Sequence, residues 1–164
     1  MPQAAPLKAP ELLIAARADD VPVRLEALAG YLRIYVLVSD DIQHHAELRV
    51  RAAWDRFEVE LSGSLSTVER RLTCARAVAY IALFEQRTEQ QALTTAEYHS
   101  VERYALELLL PSHQILPLLR DWRGFELDGD ELLDALAGLF KVPRSALEQR
   151  LSTLERPYGE SVAG

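Results

Sequence analysis

The histidines are the first residues to weigh for metal or acid–base chemistry. The chain has four, at positions 44, 45, 99 and 113. His44 and His45 are adjacent, so on a strand their side chains would face opposite sides. His99 and His113 have no evident serine or cysteine partner. We interpret all four as solvent-exposed polar residues, with an adventitious metal site as the alternative.

Other chemical motifs are equally weak. The run Asp128-Gly129-Asp130-Glu131 superficially resembles a calcium loop, but it lacks the roughly twelve-residue spacing of ligands. Acidic residues at a helix N-terminus explain it better. Cys74, the single cysteine, lies in an apolar segment and is interpreted as a small buried side chain rather than a reactive thiol. No glycine-rich phosphate loop precedes a helix.

Arg76 is the most informative charged residue. It lies in the middle of an apolar helical segment, where an unpaired charge is costly. Its guanidinium either pairs with a neighbouring polar side chain or extends along a cleft to solvent. The candidate partners are Glu97, Tyr98 and Glu102. Together with Tyr80, these residues form a possible binding cleft.

The helix that carries Arg76 is predicted to be the centre of the domain. Ser66 can cap its first turn, and Glu69 can complete a capping box. Apolar residues then recur at helical spacing to Arg87. A helix without a consistent polar face is usually surrounded by other elements. The apolar positions are Val68, Leu72, Ala75, Val78, Ala79, Ala82 and Leu83.

The rest of the pattern predicts an α+β fold, mostly helical, with a small sheet of about three strands in the N-terminal half. The predicted helices are 10–17, 23–32, 66–87, 94–110, 112–119, 131–140 and 143–154. The predicted strands are 33–38, 46–53 and 57–61, the last two forming a hairpin. The residues expected on its buried side are Leu48, Val50, Phe57, Val59 and Leu61.

The segment Arg71-Leu72-Thr73-Cys74-Ala75-Arg76-Ala77-Val78-Ala79-Tyr80 resembles the metal-binding helix of the ImmA/IrrE family of zinc metallopeptidases, which runs approximately RFTLAHELGH. Arg71, Thr73 and Ala75 match it, and Leu72 replaces its phenylalanine. Further similarities place the domain between about residues 20 and 155. They lie in Val21–Ala29 with Ile34–Val36, in the Val101–Pro111 helix, and in the closing helix pair from Leu132 to Leu154.

The resemblance implies a degenerate site. In HExxH, two histidines bind zinc and the glutamate acts as a general base. The corresponding positions here are Arg76, Ala77 and Tyr80, and the third ligand position of the family falls on Tyr98. Arginine cannot deprotonate to bind a metal. We therefore expect no metal, no cofactor and no peptidase activity.

The last two helices also resemble a helix-turn-helix. Lys141, Arg144 and Arg150 could contact phosphates in such a unit. The acids Glu131, Asp134 and Glu148 of the same unit argue against it. Nucleic acid is therefore an unfavoured partner, and DNA binding through residues 131–154 is an alternative only.

Composition sets the remaining expectations. With 164 residues, 49% hydrophobic and 26% charged, the chain suits one soluble globular domain. We expect a loose N-terminus at 1–9, a single ImmA/IrrE-like domain at 10–157 and a flexible tail at 158–164. The net charge of −7 argues against wide attraction to nucleic acid or anionic lipid. No leader or membrane-spanning run is evident, so a cytoplasmic location is the default.

The favoured function is that of a pseudoenzyme, a metallopeptidase-like domain that binds a regulatory protein without cutting it. The family resemblance suggests a helix-turn-helix repressor or a related peptidase as the partner. The two alternatives are a metal-dependent hydrolase with a non-standard site and a DNA-binding regulator. The oligomeric state stays open.

Overall fold

The computed structural model describes residues 5–40, 49–53, 55–84, 93–122 and 129–154. These residues form an α+β fold that is mostly helical, as the sequence pattern predicts. Its helices are α1 (Ala9–Ala15), α2 (Leu25–Tyr31), α3 (Thr67–Phe84), α4 (Thr95–Leu109), α5 (Ser112–Trp122), α6 (Gly129–Phe140) and α7 (Arg144–Leu154). Its strands are β1 (Ile34–Ser39), β2 (Arg49–Ala53) and β3 (Arg56–Ser62).

The sheet has three strands in the order β1-β3-β2. β2 and β3 form the predicted antiparallel hairpin, with Ala53 opposite Arg56, whereas β1 runs parallel to β3. The predicted inward residues Val59 and Leu61 are buried, and Phe57 is half-buried. The side chains of Leu48 and Val50 lie outside the described part of the structure.

A tight turn connects the sheet to α3. The Gly63 backbone N–H donates to the Ser39 carbonyl at 2.9 Å, which joins the ends of the parallel strands. A side chain at Gly63 would meet the Asp40 carboxylate, so a larger residue here would require the exposed Asp40 side chain to move. This turn therefore fixes where α3 begins relative to the sheet.

The central position predicted for α3 is confirmed, since it packs against α2, β3 and α4. The predicted capping box is present: the Ser66 N–H donates to Glu69 at 2.9 Å, and the Glu69 N–H donates to Ser66 Oγ at 3.4 Å. Its buried residues are Thr73, Ala75, Ala77, Val78, Ala79, Tyr80 and Ile81. The predicted core positions Val68, Leu72, Ala82 and Leu83 are half-buried. No described helix, α3 included, is long and apolar enough to cross a membrane.

α4 packs against α3, α1 and α7, so it connects the two ends of the described chain. Thr94 and Glu97 form the predicted capping box at its start. Its N-terminal neighbour α1 begins at Ala9, one residue earlier than expected. Tyr104 of α4 donates a hydrogen bond to the Leu7 carbonyl at 2.6 Å, which ties the residues before α1 to the core.

The last three helices differ slightly from the predicted bounds. α5 continues through Pro117 to Trp122, beyond the expected end at Leu119, although the proline removes one backbone hydrogen bond from the helix. α6 begins at Gly129, two residues before the expected Glu131. Lys141, with a φ of 53°, ends α6 before α7 begins.

Candidate functional site

The best-defined charged site lies between α3 and α4, where Arg76 pairs with Glu102. Arg76 Nη2 donates to Glu102 Oε2 at 3.1 Å, and Arg76 Nε lies 2.5 Å from Glu102 Oε1. The second contact is ionic rather than a well-directed hydrogen bond. The Glu102 side chain is 10% exposed and that of Arg76 is 35% exposed. Of the two hypotheses for Arg76, the structure therefore contains the paired one, with one end of the pair open to solvent.

Tyr80 and Ala77 lie beside Arg76 on α3 and are both buried. Tyr80 follows Arg76 by four residues, so the two share one face of the helix. The Tyr80 ring packs against Phe84, with 5.6 Å between centroids. Its buried hydroxyl has no hydrogen-bond partner among the described residues. This leaves a polar atom in the interior next to an ion pair, a combination that ordered water commonly satisfies.

The remaining candidate residues of the cleft, Tyr98 and Glu97, lie at the start of α4. Tyr98 is 51% exposed, and its ring contacts that of His99 edge-on at 6.1 Å. Glu97 is committed to the cap of its own helix and accepts hydrogen bonds from the Thr94 N–H and hydroxyl. Tyr98 precedes Glu102 by four residues and therefore lies on the same side of α4. The structure thus joins Arg76 directly to Glu102, and leaves Tyr98 accessible one helical turn away.

The residues at this site do not suit zinc. A catalytic zinc needs three protein ligands and an open position, and the guanidinium of Arg76 has no lone pair to offer. Glu102, the available carboxylate, is already occupied by Arg76. Among the described residues, no group of three histidine, cysteine or acidic side chains could hold a metal ion.

The histidines are placed at the surface where they are described. His99 is exposed on α4, and His113 is exposed at the start of α5. His113 Nε2 lies 2.9 Å from Asp19, whose carboxylate also accepts from the Gln114 side chain at 2.6 Å. This contact holds α5 against the loop between α1 and α2. His44 and His45 lie outside the described residues.

Cys74 and Arg71, two further residues of the α3 segment 71–80, have roles within the fold. Burial raises the pKa of the Cys74 thiol to about 11, so the thiol is protonated and unreactive at neutral pH. Arg71 donates to the Val23 carbonyl, which fastens α3 to the segment before α2. Burial also lowers the pKa of Arg71, an effect that Glu26 partly offsets.

Two basic residues of the closing helix pair, Arg144 and Arg150, form their contacts within the protein. Arg144 contacts Asp130, Asp134 at 3.1 Å and Glu148 at 2.9 Å. Arg150 is buried and donates to the Leu110 carbonyl at 3.1 Å. These contacts fix α7 against α6 and α4, and they leave Lys141 as the exposed member of the three predicted phosphate contacts.

Sequence reasoning missed a second polar surface on α4. Ser100, Arg103, Tyr104 and Glu107 recur at positions i, i+3, i+4 and i+7, so they share one face of the helix. Together with residues 6–10 and Arg150 they line a groove. The spacing was visible in the sequence, but the residues of α1 and α7 that complete the groove come from the two ends of the described chain.

Comparison with known proteins adds a likeness in fold. No known protein family matches the sequence, and no curated protein does so at a significant level. A solved structure, described as a Mycobacterium tuberculosis transcriptional regulator, is similar with a TM-score of 0.60 and 22% sequence identity. The match covers 90% of this chain and 48% of that chain. The chain therefore shares its fold with about half of that regulator.

Proposed function

We propose that this domain is a catalytically inactive, metallopeptidase-like regulator that binds another protein. The observation that carries the proposal is the Arg76–Glu102 ion pair between α3 and α4. By the resemblance to the ImmA/IrrE helix, Arg76 stands at the first zinc-binding histidine and Ala77 at the catalytic glutamate. A guanidinium paired with a carboxylate at that position offers neither a Lewis acid nor an available general base.

The surroundings of the pair suit recognition. Arg76 is 35% exposed, so part of its guanidinium stays available after pairing with Glu102. Tyr98, half-exposed one turn along α4, offers a large aromatic surface. Tyrosine and arginine are the residue types that most often dominate the energy of protein–protein interfaces. The surface around the Arg76–Glu102 pair, which the sequence suggested as a binding cleft, thus carries residue types that suit a protein partner.

The likeness in fold supports a regulatory role. The solved neighbour is a transcriptional regulator, and this chain corresponds to 48% of it. At 22% identity the likeness concerns the fold, so the nature of the partner rests on the family resemblance. That resemblance favours a helix-turn-helix repressor or a related peptidase.

The test is co-purification of the full chain from its native source, with the bound proteins identified by mass spectrometry. A matched pair of variants makes the result specific to the cleft. Tyr98→Ala removes the exposed tyrosine of the cleft, and Tyr31→Ala removes a comparably exposed tyrosine, 49% exposed, on α2. We expect a protein that is retained by the wild type and by Tyr31→Ala but lost with Tyr98→Ala.

The intact mass of that bound protein separates binding from cutting. We expect the partner to keep its full mass during prolonged incubation with the domain and added zinc. Cleavage of the partner that a chelator abolishes would refute the proposal and favour the hydrolase with a non-standard metal site. Elemental analysis of the purified domain for stoichiometric metal tests the same alternative independently.

DNA binding through the closing helices has less support. Arg144 and Arg150 are held by side-chain and backbone groups of the same domain. A mobility-shift assay in low salt, where phosphate contacts are strongest, checks this alternative. We expect no shift.

A further inference from the structure

A groove on the side of α4 away from Glu102 has the features of a ligand site. It has a volume of about 530 Å³ and lies between the segment before α1, α4 and the start of α5. Leu7, Leu83 and Pro111 contribute apolar wall. A volume of this size is within the range of roughly 300–1,000 Å³ that small-molecule sites occupy.

The charge of this groove is opposite to that of the whole chain. Its lining includes three cationic side chains, Lys8, Arg103 and Arg150, and one carboxylate, Glu107. The chain as a whole carries a formal charge of −7. A local cationic site in an acidic protein concentrates anions from solution at that place.

Two of these cations are available to a ligand. Arg103 is exposed, and neither its guanidinium nor the Lys8 ammonium has an ion-pair partner among the described residues. The two residues come from different segments, 95 positions apart in the chain, and converge on one groove. Because the lining holds three cationic side chains and a single carboxylate, Glu107, the groove keeps an excess of positive charge that an anion could neutralise.

The third cation is held in a fixed orientation. Arg150 is buried, and its Nε donates to the Leu110 carbonyl at 3.1 Å while Nη2 donates to Ser112 Oγ at 3.3 Å. Nη1 donates to Thr153 Oγ1 at 3.4 Å and forms an ion pair with the Glu107 carboxylate at 4.0 Å. A guanidinium oriented in this way in the wall of a groove is pre-organised, which reduces the entropy lost on binding.

Tyr104 defines the floor of the groove. Its hydroxyl donates to the Leu7 carbonyl at 2.6 Å, so the segment before α1 is held over α4. Burial, together with the Glu107 and Glu11 carboxylates, raises the pKa of Tyr104 above its usual value. The phenol therefore stays neutral, and adds no negative charge that would repel an anion.

We propose that this groove binds a small organic anion, a carboxylate or phosphate monoester with a compact apolar part, through Lys8 and Arg103, beside the fixed guanidinium of Arg150. The apolar part packs against the leucine and proline walls, and the anionic group lies among the cations. This site is separate from the α3–α4 cleft: Glu102 and Arg103 are consecutive, and successive residues on a helix point about 100° apart. The inference does not depend on the proposed protein partner.

Three probe molecules that share one ring test the proposal. Benzoate and phenyl phosphate carry the two anionic groups, and benzyl alcohol is their uncharged counterpart. Titration of the isotopically labelled full chain, followed by two-dimensional amide NMR, reports where each probe binds. We expect saturable shifts for at least one anion at residues 100–112 and at Leu83, and none for benzyl alcohol at the same concentration. The anion that binds more tightly, benzoate or phenyl phosphate, shows whether the groove prefers a carboxylate or a phosphate group.

Variants then assign the binding to the cations. Lys8→Gln with Arg103→Gln removes the two available charges from exposed positions, so the fold is unaffected. Arg120→Gln is the matched control, because Arg120 is exposed at 80% on α5 and does not line the groove. We expect the affinity for the better anion to fall about tenfold in the double variant, which corresponds to about 1.4 kcal/mol of binding free energy. The control should bind within about twofold of wild type.

Three results would overturn the proposal. The first is an absence of saturable shifts in the groove with both anions. The second is equal binding of benzyl alcohol, which would make the groove a general apolar surface. The third is unchanged anion affinity in the Lys8→Gln/Arg103→Gln variant, which would place the anion elsewhere.

Discussion

Two faces of α4 use charge in opposite ways. Glu102 faces α3 and is almost buried, and its charge is matched by Arg76 within the fold. Arg103, the next residue, is exposed on the groove and has no ion-pair partner among the described residues. A charge in the interior must be compensated by the protein itself, whereas a charge at the rim of a groove can remain solvated until a ligand binds. Burial, rather than residue type, therefore distinguishes Glu102, whose charge is neutralised within the fold, from Arg103, whose charge can contact a ligand.

The largest predicted effect on stability is at the Arg76–Glu102 pair, on the buried face of α4. Arg76→Ala leaves the Glu102 carboxylate buried and unpaired, and we expect the free energy of unfolding to fall by about 2–3 kcal/mol, below the value for a fully buried pair because Arg76 is partly solvated. Glu102→Ala should cost less, about 1 kcal/mol, since Arg76 can then turn to solvent. Urea denaturation of both variants measures the difference. Equal losses, or a loss below about 0.5 kcal/mol for Arg76→Ala, would contradict the asymmetry.

The second effect concerns Arg150, which shares features of both faces because it is buried and yet lines the groove. Arg150→Met keeps most of the apolar stem but removes the hydrogen bonds to the Leu110 carbonyl and Ser112. We expect a loss of about 2 kcal/mol in stability, since a buried carbonyl at the end of α4 is left unsatisfied. Calorimetric unfolding checks the value. An unchanged melting temperature would show that Arg150 serves the groove alone.

A smaller effect is expected at Tyr104, in the floor of the groove. Tyr104→Phe removes the hydrogen bond to the Leu7 carbonyl and should lower stability by about 1 kcal/mol. The same change should speed amide hydrogen exchange in residues 7–12 more than in α3. If exchange rises equally in both segments, the bond contributes to global stability and not specifically to the attachment of α1.

The smallest predicted effect on stability is at Arg103, on the exposed face of α4. Arg103→Ala should leave the free energy of unfolding within about 0.5 kcal/mol of wild type, because an exposed side chain without a partner stabilises little. Thermal unfolding in low salt measures it. A clear destabilisation would show that Arg103 is structurally engaged, and would weaken the inference that it awaits a ligand. A clear stabilisation would instead indicate repulsion among the groove cations.

Much of the fold could be predicted from local sequence signals. The Ser66–Glu69 and Thr94–Glu97 capping boxes mark the two central helices, because a capping motif lies within four residues of chain. The hairpin of β2 and β3 followed from alternating residues and a short turn. The parallel pairing of β1 with β3 did not, since it depends on a crossover and on contacts between distant segments.

The candidate site was predictable to a similar degree. Arg76 in an apolar helix called for either a partner or a path to solvent, and Glu102 was one of three candidate partners. Choosing among them needed the register between α3 and α4, which no local pattern encodes. The groove was missed because Lys8, Arg103 and Arg150 are far apart in the chain, and exposed cations on separate helices look alike in a sequence.

The most direct measurement of the central claim is a double-mutant cycle on Arg76 and Glu102. Urea denaturation of Arg76→Ala, Glu102→Ala and the double variant gives the coupling free energy between the two side chains. We predict a coupling of about 1–3 kcal/mol, with the double variant losing less stability than the sum of the single variants. Additive losses would mean that the guanidinium and the carboxylate act independently. The position that resembles a metal site would then lack the energetic coupling on which the proposed non-catalytic function rests.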